Sequence, residues 1–337
     1  MFSSDDLQPP TSNFQPPTSS LQLLDILHAV RVRQWAKNVL LFGGFLFAGK
    51  LRASAPELWS SLWRVGLAFL CFCALSSITY LINDWRDIER DRLHPRKKHR
   101  PLASGRMSTR SAGLLIFFSF LIAVSCCFLL WQSGAAALGV EENNAVGRNF
   151  LGVALAYLAL TMAYSFALKN EVIVDVLCLA SGFVLRVVAG CVAIPVAISP
   201  WIVFCTFTLA LFVALCKRRA EIVDLGQHSS STRSSLKSYT RELLDSFITV
   251  AAGLTIVSYS LYTFNASHSA ALGALQNTPV LMTTIPFVVY GVFRYLLLAH
   301  SSEVGGAPEQ MLRDKPLMIN VALWIALVAF LTAAEKL

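Results

Sequence analysis

The 337 residues would be enough for two soluble domains, but 55% of them are hydrophobic, 14% are charged and the mean hydropathy is +0.58. That composition excludes an ordinary water-soluble fold and makes the lipid bilayer the solvent to reason in. A net charge of +8 would suit nucleic acid or anionic lipid, but the basic residues lie between the apolar runs, which excludes nucleic acid and leaves the membrane.

In chain order, residues 1–21 are rich in Ser, Pro and Gln and carry no basic cluster ahead of an apolar core. They are expected to form a disordered tail and not a signal peptide. Residues 22–337 then read as one transmembrane domain. A hydrocarbon layer about 30 Å thick needs roughly 20 apolar residues in a helix. Nine candidates follow, near 35–49, 62–82, 112–131, 150–168, 172–194, 201–216, 243–264, 280–299 and 317–334, the first and sixth of them short. Backbone polar groups must be satisfied within each segment in lipid, so the expected fold is an all-α bundle of nine transmembrane helices. All eight cysteines fall inside apolar stretches without metal-site spacing, and read as small buried hydrophobes.

Lys and Arg collect on the cytoplasmic side of membrane proteins. With the N-terminus inside, 22 of the 28 basic residues fall on that side and 5 outside, and Arg186 lies deep within a span. The sequence therefore predicts a cytoplasmic N-terminus and an external C-terminus.

At the inner end of the second span the chain reads NDWRDIERDRLHPRKKHRPLASG, from Asn83 to Gly105. On a continuing helix Asn83, Asp84, Asp87 and Asp91 occupy an arc of roughly 100°. Three carboxylates and an amide on one face repel each other unless a cation joins them, and hard oxygen donors suit Mg²⁺ that borrows phosphate oxygens from a substrate. The competing reading is a solvated helix end paired with Arg86, Arg90 and Arg92. Against it stands the basic run through Arg100 that follows, because a diphosphate held between Mg²⁺ and Lys or Arg uses both signs in close succession.

Further along, Tyr164 and Lys169 close the fourth span; an interfacial aromatic belt explains the tyrosine, whereas Lys169 is the one basic residue of its turn. Asp175 and Arg186 share a helix face but stand roughly 16 Å apart along it. They are too far apart to pair directly and near enough to line one polar cavity. Lys217, Arg218 and Arg219 end the sixth span, where a topology anchor and a phosphate-binding group are equally good explanations. His28, His228, His268 and His300 carry no assignment, and the Asn265-Ala-Ser267 glycosylation pattern reads as idle.

The Asn-Asp pair, the Asp residues three and seven positions beyond Asp84, the His-Pro step and the Arg-Pro-Leu-Ala-Ser-Gly stretch together resemble the first aspartate-rich motif of the UbiA superfamily of intramembrane prenyltransferases. The stretch from Arg31 to Asn38, the segment from Tyr164 to Lys169 with Asp175 and with Gly182 to Arg186, the block from Lys217 to Glu221 and residues 302–309 resemble its decaprenyl-phosphate phosphoribosyltransferase branch. The resemblance covers nearly everything after Leu21.

It implies a nine-helix bundle opening to the cytoplasm of a bacterial plasma membrane. It also implies transfer of the phosphoribosyl group of 5-phosphoribosyl 1-diphosphate to a polyprenyl (decaprenyl) phosphate, with release of diphosphate, in cell-wall arabinan precursor synthesis. Asp84, Asp87, Asp91 and Asn83 would hold Mg²⁺. Arg33, Lys37, Arg100, Tyr164, Lys169, Asp175, Arg186, Lys217 and Arg218 would bind substrate. The second acidic motif of the superfamily is reduced here to Asp175, which leaves the metal count open and points to basic residues for part of the phosphate binding. Two alternatives stand beside this reading: an aromatic prenyltransferase using the same metal site, and a non-catalytic lipid transporter, against which the absence of a sequence repeat counts. Homo-oligomerisation is left open.

Overall fold

The computed structural model describes residues 23–47, 50–93, 97–135, 140–194, 196–225, 239–266, 279–301, 311 and 313–334. The expected tail, residues 94–96 of the basic run, the 302–309 motif, His228, His268 and Ser267 lie outside the described residues. Among the described residues there is no strand, as the composition requires. Short helices α1 (Leu23–Ala29), α2 (Val32–Trp35) and α3 (Phe42–Phe47) precede α4 (Ala55–Arg86), α5 (Ile88–Arg92), α6 (Thr109–Ala135) and α7 (Val140–Phe166). They are followed by α8 (Val174–Ala193), α9 (Pro200–Leu225), α10 (Arg241–Ala266), α11 (Ile285–His300) and α12 (Lys315–Ala334).

Eight of the nine expected spans are met by segments long and apolar enough to cross a bilayer: α4, α6, α7, α8, α9, α10, α11 with its lead-in turn, and α12. The first differs. Residues 35–49 contain a 3₁₀ segment, Ala36–Leu41, running into the six-residue α3. The tighter 3₁₀ winding rises about 2.0 Å per residue, so α2, this segment and α3 together reach about 27 Å if collinear, close to the hydrocarbon thickness with only sixteen residues.

One face of this first segment is wedged into the bundle, while Val39 and Leu40 remain exposed on the other. Leu41 and Asn38 are fully buried. A Cβ on Gly190 of α8 would lie 1.9 Å from the Leu41 carbonyl oxygen, and one on Gly44 would lie 2.6 Å from Cys191 Sγ. Two glycines facing each other's helices therefore let the backbones touch, the way helices associate in lipid, where small residues at the seam replace the hydrophobic drive.

Among the described residues the two larger of four apolar clusters form the core. One joins α4, α6, α7 and part of α8 around Phe72, Leu130 and Phe150; the other joins α8 to α11 around Phe212, Leu215, Leu244 and Ile248. The outward faces are also apolar, with Phe117, Phe118 and Phe128 on α6 and Ile319, Leu323 and Phe330 on α12 exposed, as a lipid-facing surface demands.

The sixth expected span is longer than its apolar stretch: α9 runs on to Leu225 and carries Lys217 to Glu221 beyond the hydrophobic part. Alternation of direction brings these ends together. Asn83 of α4 reaches Ser165 of α7, Asp175 of α8 reaches Arg218 of α9, and Arg294 of α11 reaches Asp314 just ahead of α12. These polar and charged side chains are thereby gathered at one end of the bundle.

Candidate active site

Helix α4 ends at Arg86, but the chain barely turns. The Asp87 N–H still donates to the Asn83 carbonyl at 3.0 Å, and the Asp87 carbonyl accepts the Asp91 N–H at 2.8 Å. Asp91 therefore stays close to two helical turns from Asp84 and faces the same way, whereas Asp87 sits about 60° round the axis. The side chains follow that division. Arg100 Nη1 donates to Asp84 Oδ1 at 3.0 Å and to Asp91 Oδ2 at 2.6 Å. Both carboxylates are almost fully buried, at 5% and 2% exposure.

A second guanidinium closes on the same oxygen. Arg31 Nη2 lies 2.6 Å from Asp84 Oδ1, and its guanidinium stacks over the Tyr80 ring at 4.5 Å. Arg31 holds a left-handed backbone, φ 54°, a costly conformation for a residue with a Cβ. It occupies the sharp junction between α1 and α2, from which its side chain reaches Asp84. Two buried carboxylates thus meet two guanidinium groups and balance in charge, the condition under which buried ions are tolerated.

The other members of the acidic motif turn toward α7. Asn83 Nδ2 donates to Ser165 Oγ at 2.8 Å, and Asp87 is approached by Arg86 at 3.3 Å and by Lys169 Nζ at 4.0 Å. Their side-chain partners divide the four residues into a pair, Asp84 with Asp91, and two flanking groups, Asn83 and Asp87. Among the described residues no three His, Cys, Asp or Glu side chains gather to hold a metal. The pair nevertheless fits a hard cation. Mg²⁺ is commonly held by one or two carboxylates and completes its octahedron with substrate phosphate oxygens and water. The point on which Asp84 and Asp91 converge already carries a positive group, Arg100 Nη1.

A second charged cluster lies across the C-terminal end of α7. Arg218, 1% exposed, donates from Nε to Asp175 Oδ2 at 2.6 Å, from Nη1 to Glu221, and from Nη2 to Tyr164 Oη at 3.0 Å. Tyr239 donates to Asp175 Oδ1 at 3.0 Å and accepts the Ile173 N–H at 2.7 Å. Burial pushes the Tyr239 phenol up to about 12, so it remains a neutral donor at any ordinary pH. Ile173, at φ 68°, is the second non-glycine residue in the positive-φ region among the described residues, and its N–H is the one Tyr239 holds.

Arg186 belongs to a third network. Its Nε donates to Asn38 Oδ1 at 2.7 Å, its Nη1 to the Gly182 carbonyl at 2.8 Å and its Nη2 to Tyr157 Oη at 2.7 Å. Asp175 and Arg186 are not paired with each other, as the axial spacing anticipates, and each is committed to different neighbours. Arg33, Lys37 and Lys217 are exposed at the charged end of the bundle.

Sequence reasoning singled out Asp84, Asp91, Arg100, Asp175, Arg218 and Tyr164, and the structure brings them into two adjoining clusters. It gave Ser165, Tyr157 and Tyr239 no site role, because Ser and Tyr near a membrane boundary have common explanations and their partners lie many residues away. Arg31 lies in the Arg31–Asn38 stretch, but helical spacing does not tie it to Asp84, 53 residues away in the chain.

The fold is a membrane-spanning helical bundle with buried carboxylates and arginines gathered at one end. The UbiA prenyltransferase family model matches residues 42–313, and the chain belongs to that family. It is a multi-pass membrane transferase of the UbiA superfamily. It is 34% identical over 302 residues to the decaprenyl-phosphate phosphoribosyltransferase of Corynebacterium glutamicum, covering 89% of this chain and 84% of that one. It is 32% identical over 308 residues to the enzyme of the same name from Mycolicibacterium smegmatis, covering 90% and 91%. A UbiA homologue from Archaeoglobus fulgidus, solved bound to GPP and Mg²⁺, shares the fold with a TM-score of 0.62 and 17% identity, over 92% of this chain and 99% of that one.

Proposed function

We propose that this chain transfers the phosphoribosyl group of 5-phosphoribosyl 1-diphosphate to a polyprenyl phosphate such as decaprenyl phosphate, with release of diphosphate, at the cytoplasmic face of a bacterial plasma membrane. The observation that carries the reading is the similarity, over about nine-tenths of the chain, to enzymes named for that transfer. The excess of basic residues at the charged end supports the orientation, with the N-terminus inside.

Asp84 and Asp91 would hold Mg²⁺, with Asp87 and Asn83 flanking it. When bound, Mg²⁺ supplies electrostatic stabilisation of the charge that develops on the departing diphosphate. Lys169, beside Asp87, and Arg33, Lys37 and Lys217 at the rim provide cations for the remaining phosphate groups. The nucleophile is an anionic lipid phosphate, so no general base is required and positioning dominates. Arg218 and Asp175, locked into each other with Tyr164 and Tyr239, set the position of the α7 end from which Lys169 projects. Arg186 fixes the first segment through Asn38, deeper in the bundle.

The test is product analysis by mass spectrometry. Purified protein in lipid nanodiscs is supplied with Mg²⁺ and either 5-phosphoribosyl 1-diphosphate plus decaprenyl phosphate or geranyl diphosphate plus an aromatic acceptor. A phosphoribosylated lipid from the first pair supports the assignment. Prenylated product from the second pair alone makes the protein an aromatic prenyltransferase, and product from neither removes the catalytic reading.

A further inference from the structure

The position between Asp84 and Asp91 that suits a divalent cation is filled by part of the protein. We infer that Arg100 is a resident counter-ion that surrenders this position to Mg²⁺ and then serves as a ligand for the diphosphate of the donor. The inference rests on the metal role given to Asp84 and Asp91 above.

Three features assign the moving part to Arg100. Its side chain is 28% exposed, whereas those of Asp84 and Asp91 are 6% and 3% exposed, so the carboxylates are the fixed half and the guanidinium sits at the open edge. Its backbone is pinned: the Arg100 N–H donates to Lys97 O at 2.9 Å, its carbonyl accepts the Ser104 N–H at 2.8 Å, and Pro101, Leu102 and Ala103 behind it are buried. Rotation of the side chain alone can therefore clear the position. A single atom, Nη1, makes both bonds, which is how a point charge would be held and does not use the planar two-nitrogen fork that arginine offers to a phosphate.

Arg31 is cast differently. It bonds Asp84 and not Asp91, and its guanidinium is held flat against the Tyr80 ring, so it stays in place and steadies Asp84 through the exchange. The charges then offset each other at the two ends of the exchange: Arg100 and Arg31 neutralise the carboxylates before the metal enters, and once it has entered, its added positive charge is met by the diphosphate that Arg100 turns to bind. Metal and diphosphate become coupled through one side chain, and the empty enzyme keeps no unpaired buried carboxylates.

The test measures binding and not turnover. Mn²⁺ replaces Mg²⁺ as an electron paramagnetic resonance probe, titrated into wild type, R100Q, R100K and D84N in nanodiscs without substrate, and inorganic diphosphate is then titrated into each protein at saturating Mn²⁺. Removing the competing charge in R100Q is expected to tighten Mn²⁺ binding by about tenfold or more, within the usual range of a coupling between sites, and to weaken diphosphate binding at saturating Mn²⁺. R100K, whose ammonium grips the pair less well, is expected to show the same two changes to a smaller degree, which keeps the test available if R100Q does not fold. Unchanged or weaker Mn²⁺ binding in the Arg100 variants, with binding in wild type and loss in D84N, overturns the exchange alone. Mn²⁺ binding that is absent from wild type, or indifferent to D84N, overturns the metal role and the exchange together.

Discussion

At the scale of single residues, the charged side chains divide by how completely they are enclosed. Arg218 and Asp175 are 1% and 0% exposed in their side chains and are joined at 2.6 Å. Burying both charges costs desolvation that their attraction only partly offsets, and losing one partner leaves the other charged and alone. Arg218→Gln or Asp175→Ala is therefore expected to destabilise the protein by about 3–5 kcal/mol, read as a fall in thermal unfolding temperature in detergent. A double variant, Arg218→Met with Asp175→Leu, recovers most of that loss if the pair is chiefly structural. The Asp84, Asp91 and Arg100 group contrasts with it, because its cation lies at an open edge. The sequence made the carboxylates of this group legible, since the seven-residue spacing of Asp84 and Asp91 on a helix places them on one side. It could not show that Asp87 leaves them for Lys169, or that Arg31 joins them. Helical periodicity relates residues along one element and is silent about which distant chain segment faces it.

At the scale of elements, the long spans were readable because lipid demands about twenty apolar residues per crossing, and α4 and α6 to α12 follow that rule. The first segment obeys another constraint. Its 3₁₀ stretch, Ala36–Leu41, is threaded against α8 where Gly190 leaves no side chain between the backbones, and Asn38 inside it receives Arg186. Hydropathy alone measures whether a stretch tolerates lipid, so it recorded an ordinary if short span and missed the wedge. A methyl group on Gly190 would lie 1.9 Å from a carbonyl oxygen of the neighbouring backbone, where no rotamer change can relieve it. Gly190→Ala is expected to cost at least the usual 1–3 kcal/mol or so of overpacking and to lower the unfolding temperature, whereas Gly66→Ala on α4, where a Cβ meets nothing within 4 Å, is expected to leave it nearly unchanged. Equal unfolding temperatures for the two variants would remove the wedge from the account.

At the scale of the whole molecule, alternation of helix direction is what turns scattered charges into a site. Asp84 and Asn83 come from the end of α4, Tyr164 and Ser165 from the end of α7, Asp175 from the start of α8 and Arg218 from the end of α9. They meet because every second crossing returns the chain to the same level. A lipid phosphate whose apolar tail lies among the helices and a water-soluble diphosphate donor would meet at that level, where hydrocarbon gives way to charge.

The claim on which this rests is that Asp84 and Asp91 form the metal-binding pair. Its most direct measurement is the initial rate of phosphoribosyl transfer to decaprenyl phosphate by nanodisc-embedded wild type, D84N and D91N across a Mg²⁺ titration, beside their unfolding temperatures. Each variant is expected to remain folded and to lose on the order of 100-fold or more in rate, as when a group stabilising developing charge is removed. A folded D84N or D91N that transfers at the wild-type rate with the wild-type dependence on Mg²⁺ would contradict the claim.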